Sequence, residues 1–260
     1  MRCPLCHADI AELPVVQTPA WRVLACTHCT NGFTDPAPGA VNYETENFHA
    51  HVAAAEHALP PQWRQSLQMQ VALLKTHLPA GARMLEIGCG EGLLLAELKG
   101  NGFVVAGIEP SATASEKARQ RGLNVATGYF PHPSLSDRFD CVIMSHVLEH
   151  VPEPLTLLRQ VAAVTPRLFF VQTHLWGVMP QRLKEKWYAW LPEQHFWHFS
   201  PRGLQTLLSP MGFATTAVEY SSLVHTRPDG TINKFSELAV TTPSGGDQFH
   251  LLLTAPYTST

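Results

Sequence analysis

The chain has 260 residues and a formal net charge of -3, with 45% hydrophobic and 15% charged residues. That balance excludes a disordered chain and is enough for one full α/β domain with a small appendage. No basic excess advertises a nucleic-acid footprint, the start Met1-Arg2-Cys3-Pro4-Leu5-Cys6 lacks a secretory layout, and no apolar run is long enough to span a bilayer. A cytoplasmic location is the expectation, and it fits the use of cysteine.

Residues 1–40 are polar, rich in Cys, Pro and Thr, and carry no long periodic segment. Cys3 and Cys6 form one CxxC pair and Cys26 and Cys29 another, 19 residues apart. In a reducing compartment that spacing predicts a four-cysteine tetrahedral zinc site. Four thiolates leave no open coordination position, so the zinc is expected to be structural and to fold a knot too short for its own core. Arg2 and Arg22 are its only strong cations and lysine is absent, which is thin for phosphate binding and disfavours nucleic acid.

A turn-rich linker from Thr34 to Gly39 closes the knot, and residues 41–80 form a second segment. Within it Trp63, Leu67, Val71, Leu74 and Leu78 recur at roughly helical spacing, which predicts a helix over His57–Leu78 broken near Pro79 and Gly81. Residues 81–260 then alternate between strand and helix patterns. Strands are expected at 83–87, 103–108, 123–126, 139–144 and 168–172, with helices at 91–99, 111–121 and 154–164. Ser200, Pro201 and Gly212 read as N-cap, first helical position and C-terminal stop of a later helix. Two last strands, 213–221 and 249–254, are joined without a helix pattern, which suits an antiparallel end to an otherwise parallel, doubly wound sheet.

The most informative segment runs Glu86-Ile87-Gly88-Cys89-Gly90-Glu91-Gly92. A buried strand enters a glycine-rich turn and then a helix, at the carboxyl end of the strands, where such sheets bind nucleotides. The dinucleotide pattern GxGxxG fails, because Leu93 stands where its third glycine belongs. Glu86 would repel a pyrophosphate but can accept a hydrogen bond from an ammonium. Glu109, at the end of the next strand and followed by Pro110, is placed to accept ribose hydroxyls.

These segments, with Phe139-Asp140-Cys141-Val142-Ile143 and Ser145-His146-Val147-Leu148-Glu149-His150, resemble the successive motifs of class I S-adenosylmethionine-dependent methyltransferases. The resemblance is nearest to the small-molecule branch of ubiquinone-pathway O-methyltransferases and nucleotide-sugar C-methyltransferases, and covers about residues 43–256. It implies a Rossmann-like sheet of seven strands, mostly parallel, with the last strand of the chain antiparallel, and S-adenosylmethionine as cofactor. It implies a cofactor site of Glu86, Gly88, Cys89, Gly90, Gly92, Glu109 and Pro110, adenine contacts at Gly128, Tyr129 and Phe130, and Ser145 and His146 facing the sulfonium. Asp140 would cap the fourth strand. No acidic residue sits beside Gly128, where the family pattern expects one for the adenine amino group. The stretch holding Tyr43, Phe48, His49 and His51 reads as a lid over the cofactor.

His146 to His150 matches the zinc-peptidase string HxxEH, but an apolar strand runs straight into His146 and Pro152 and Pro154 follow at once, so the long helix that motif needs is excluded. His146 reads either as pocket wall or as general base, and His150 as structural. A second cluster contains Trp187, Tyr188, Trp190, His195, Trp197 and His198. It reads either as a loop glued to the core by its aromatics or as an acceptor contact with His195 or His198 as base. The expected activity is methyl transfer to an O, N or C atom of a small molecule. The rivals are an RNA or protein methyltransferase that reads its substrate with the zinc knot, and a non-catalytic cofactor-binding scaffold.

Overall fold

The computed structural model describes residues 1–11, 14–40, 43, 61–135, 138–221 and 248–256. They belong to two compact units, one of residues 1–41, 146–159 and 170–260 and one of residues 42–145 and 160–169.

In the first unit, β1 (Pro14–Gln17), β2 (Arg22–Ala25) and β3 (Gly32–Asp35) form an antiparallel meander. These strands fall in a segment that carries no long periodic pattern. Each is only four residues long, too short for a period-two pattern to show. The meander is completed from far along the chain by β9 (Trp197–His198), antiparallel to β3 with Gly32 opposite His198 and Phe33 opposite Trp197. Val16, Val23, Leu175, Met179, Trp187 and Trp190 make one apolar cluster beneath it. Burying these side chains contributes about 1.5–3 kcal/mol each, which a knot of this size could not assemble alone.

The second unit holds α1 (Pro61–His77), β4 (Arg83–Ile87), α2 (Leu93–Gly100), β5 (Val104–Glu109), α3 (Ala112–Gln120), β6 (Val125–Thr127) and β7 (Cys141–Ser145). Met84, Leu85, Val142, Ile143 and Met144 are wholly buried, the continuous apolar run of strands covered on both faces. Ser111 caps α3 by accepting from the Ala114 amide at 3.1 Å. Asp140 Oδ2 accepts from the Arg83 amide at 2.8 Å, tying the start of β7 to the start of β4.

The remaining elements are α4 (Pro154–Ala162), β8 (Arg167–Thr173), α5 (Val178–Leu183), α6 (Pro201–Leu208), β10 (Ala214–Ser221) and β11 (Gln248–Thr254). Ser200 caps α6 by accepting from the Gly203 amide at 2.9 Å, with Pro201 at the first position, as expected. The seven-stranded sheet has the order β10-β11-β8-β7-β4-β5-β6. β4 runs parallel to β5 and β7, β5 parallel to β6, and β11 antiparallel to β10. This is the expected doubly wound, mostly parallel sheet, and the change of direction on either side of β4 puts the β4–α2 turn at a switch point.

Candidate functional site

The β4–α2 turn is held by backbone that only glycine adopts easily. Gly88, Gly90 and Gly92 have φ of 68°, 53° and 77°, all left-handed. A side chain on Gly92 would collide with Leu123. Gly107 stands on β5, and a Cβ there would lie 2.6 Å from Cys89 Sγ. The turn is thus pressed onto β5 through Cys89. Burial, with the charges of Glu86 and Glu109 behind it, pushes the Cys89 thiol up, so it packs as a neutral group. Glu91, itself buried, ties the turn to α3, its carboxylate 2.7 Å from Lys117 Nζ.

Two carboxylates converge behind this turn. Glu86 is 4% exposed, and its Oε2 has no hydrogen-bond partner among the described residues. Burial first, and the Glu109 charge second, push its pKa well above the usual carboxylate value. Glu109 accepts from the Gly90 amide at 2.8 Å and from the Ser111 amide at 2.9 Å, so it pins the glycine turn to the start of α3. Pro110 follows it and is half-buried. Gly128 donates its amide to the Glu109 carbonyl at 2.9 Å and has a φ of 142°. Phe130 is half-buried, while Tyr129 is exposed with its ring centroid 6.4 Å from that of Tyr43. Phe48, His49 and His51, the rest of the expected lid, lie outside the described residues. An orphaned buried carboxylate, a second carboxylate and a glycine-rich turn together suit a ligand with an ammonium group and vicinal hydroxyls.

Ser145, half-buried, ends β7, and His146 follows it at a left-handed φ of 53°, a conformation that costs a residue with a Cβ about 1–3 kcal/mol and concentrates at functional positions. His146 is half-buried, with Nδ1 3.3 Å from Glu149 Oε1 and Nε2 2.9 Å from Gln248 Oε1. Gln248 was not foreseen, because β11 lies about a hundred residues from β7 in the chain. Burial would raise the Glu149 carboxyl, but the His146 hydrogen bond and the charges of His150, His146 and His195 outweigh it and hold the pKa down to about 2.

The other two candidate bases are packed inside. His195 is 4% exposed and His198 1%. Burial, reinforced by His150, drives His195 well below the usual histidine value, and burial drives His198 down to about 3. Thr34 donates its hydroxyl to the His195 carbonyl at 2.7 Å, so the 2.9 Å contact with His198 Nε2 must be donated by the ring. His198 is therefore a neutral ring fastened to β3. Trp187, Trp190 and Trp197 are buried as well, which favours the packing reading of this loop over an acceptor surface.

The four N-terminal cysteines converge, with one Sγ from each within 4.8 Å of the others. Cys3 and Cys29 Sγ stand 3.8 Å apart, Cys6 and Cys26 Sγ 3.6 Å, and none forms a disulfide. The two CxxC turns share one build: His7 and Thr30, each just after a pair, have φ of 61° and 60°. That is a geometry for one tetrahedral ion.

The family model described as "Methyltransferase domain" matches residues 55–218. The ubiquinone biosynthesis O-methyltransferase of Methylococcus capsulatus is 30% identical over 161 residues, which cover 59% of this chain and 64% of that one. That of Vibrio campbellii is 30% identical over 106 residues, 38% of this chain and 45% of its own. The match thus spans less than two thirds of either relative. Among solved structures, the magnesium protoporphyrin IX methyltransferase of Synechocystis PCC 6803 with bound S-adenosylhomocysteine has a TM-score of 0.54 at 16% identity, covering 84% of this chain and 90% of that one. An S-adenosylmethionine-dependent methyltransferase from Mesorhizobium loti has a TM-score of 0.51 at 20% identity, covering 73% and 96%. The structural likenesses establish the fold, and the family model, matching more than half of the sequence, establishes that this chain belongs to the methyltransferase domain family.

Proposed function

We propose that the protein transfers a methyl group from S-adenosylmethionine to a small molecule, with a hydroxyl oxygen as the acceptor atom. The observation that carries this reading is the buried Glu86 carboxylate, one oxygen of which has no partner among the described residues, set behind a turn of three left-handed glycines. Glu86 would take the amino group of the cofactor's amino-acid end, Glu109 its ribose hydroxyls, and Gly128, Tyr129 and Phe130 its adenine. When bound, S-adenosylmethionine supplies a methyl group already activated by the sulfonium, so the protein's own task is alignment. His146 is the side chain we assign to hydrogen-bonding the acceptor, which would take the place of its contact with Gln248. The oxygen acceptor is supported by the ubiquinone biosynthesis O-methyltransferases among the relatives.

The four cysteines are assigned one structural zinc, and the knot is assigned a supporting role. β3 is taken up by β9, and Thr30, Asn31 and Thr34 are engaged with Trp176, Ser200, His195 and His198. Those bonds support a clamp on the protein's own chain more than a reader of RNA or protein.

The test is incubation with S-adenosylmethionine carrying an isotopically labelled methyl group and a panel of small hydroxyl-, amino- and carbon-acid acceptors, read by mass spectrometry. Labelled product from a hydroxyl compound, lost in the Glu86→Gln variant, is the expected result. Product only from RNA or protein added to the same mixture would overturn the small-molecule assignment.

A further inference from the structure

The string HxxEH fails as a peptidase motif, yet the fold gives its second half a new neighbour. Glu149 and His150 lie in a 3-10 turn directly after β7, and His195 lies in the loop before β9. One carboxylate oxygen of Glu149 and one ring nitrogen each of His150 and His195 lie within 4.8 Å of one another. All three residues are buried, at 1%, 6% and 4% exposure. Buried polar atoms are normally paired, and an unpaired one needs an explanation. Here Glu149 Oε2 and His195 Nδ1 are both buried with no hydrogen-bond partner among the described residues.

The tautomer of the third group follows from its own contact. His150 Nδ1 is 3.2 Å from the Gln194 carbonyl oxygen, which can only accept, so Nδ1 carries the proton and Nε2 is the lone-pair nitrogen of the neutral ring. A backbone carbonyl behind one ring nitrogen is the usual outer partner of a metal-binding histidine. The two segments are also pinned together by backbone, the Phe196 amide donating to the Glu149 carbonyl and Trp197 Nε1 to the Val151 carbonyl, both at 2.8 Å. The three donors are therefore gathered before any ligand arrives.

We propose that Glu149, His150 and His195 bind a divalent first-row transition cation, a second metal site separate from the four cysteines. Two imidazoles and a carboxylate suit zinc, whose bonds to such ligands are about 2.0–2.2 Å long. Tetrahedral ligands at that radius stand about 3.4 Å apart, so small side-chain rotations close the site. Three protein ligands leave a fourth position for water. The cation supplies the partner that the orphaned Glu149 oxygen and His195 nitrogen lack. This assignment does not depend on the methyl-transfer reading and needs no turnover to test.

The experiment is metal replacement on the full chain. Protein stripped with a chelator under reducing conditions is titrated with Co²⁺, passed through a metal-free column, and analysed for bound cobalt and its absorption spectrum. Two cobalt ions per chain are expected in the wild type, one showing thiolate-to-cobalt charge transfer and one showing only ligand-field bands of nitrogen and oxygen donors. His195→Gln and Glu149→Gln should each hold one ion and keep the thiolate bands. Cys26→Ser should keep the second ion without them. One ion per chain in the wild type, or two in His195→Gln, would overturn the proposal. Should both site variants fail to fold, the wild-type count and the Cys26→Ser spectrum decide the matter by themselves.

Discussion

Replacing Glu86 by glutamine keeps the shape of the side chain and removes its charge, and two opposite effects follow. Glu86 is buried, its Oε2 has no partner among the described residues, and burial and then the charge of Glu109 hold its pKa well above the usual carboxylate value. The folded state then holds a proton that the unfolded chain gives up at lower pH. Stability must fall as pH rises from the ordinary glutamate pKa of about 4.3 toward the raised folded value. The glutamine variant has no such proton, so its melting temperature should lack that part of the slope and gain on the wild type as pH rises. Cofactor binding should move the other way. A hydrogen bond to a charged group contributes about 1.5–3 kcal/mol, or about ten- to a hundredfold in affinity. Calorimetric titration with S-adenosylhomocysteine and thermal melts of both proteins between about pH 5 and 8 measure the two effects. Unchanged affinity in the variant, or a melting difference that does not vary with pH, would refute the placement of the ammonium against this carboxylate.

Glu109→Ala removes the acceptor for the Gly90 and Ser111 amides as well as the ribose contact, so it should weaken S-adenosylhomocysteine by at least tenfold and also lower the melting temperature, unlike Glu86→Gln. Gly107→Ala would place a Cβ 2.6 Å from Cys89 Sγ and 2.7 Å from Leu95 Cδ1, an overpacking of about 1–3 kcal/mol that should appear in a denaturant melt. Cys26→Ser should lose the cysteine-bound zinc and, because β3 carries β9, raise hydrogen exchange at Trp197 and His198; unchanged protection there would mean that the knot does not hold this loop. His146→Ala should leave S-adenosylhomocysteine affinity within about twofold while abolishing transfer to a hydroxyl acceptor, and a large loss of affinity would place His146 on the cofactor instead.

The parts of this molecule that could be read from the sequence are those whose signal is local. The strand and helix alternation from Arg83 onward follows from apolar runs, caps such as Ser111 and Ser200 and stops such as Gly122 and Gly212, and the structure places those elements within a few residues of the expected bounds. Gly88, Gly90, Gly92, Glu86 and Glu109 were legible for the same reason, since turn, strand end and spacing all lie within one βαβ unit. The two CxxC pairs were legible as a cluster of four thiols, but the strands around it were not. Four-residue strands carry too little pattern, and the fourth strand of that sheet comes from Trp197 and His198. The same distance in sequence hid the contact of Gln248 with His146 and the meeting of His195 with Glu149 and His150. His195 and His198 stand out in the sequence as histidines beside aromatics, and only the backbone pairing of β3 and β9 shows how deeply they are packed.

The central claim is that the β4–α2 turn with Glu86 and Glu109 is a site for S-adenosylmethionine and not for a dinucleotide. The most direct measurement is calorimetric titration of the purified, metal-analysed protein with S-adenosylhomocysteine, with NADH as the parallel ligand. Saturable one-to-one binding of S-adenosylhomocysteine with no heat from NADH is the predicted result. Binding of NADH, or of neither ligand, would contradict the account.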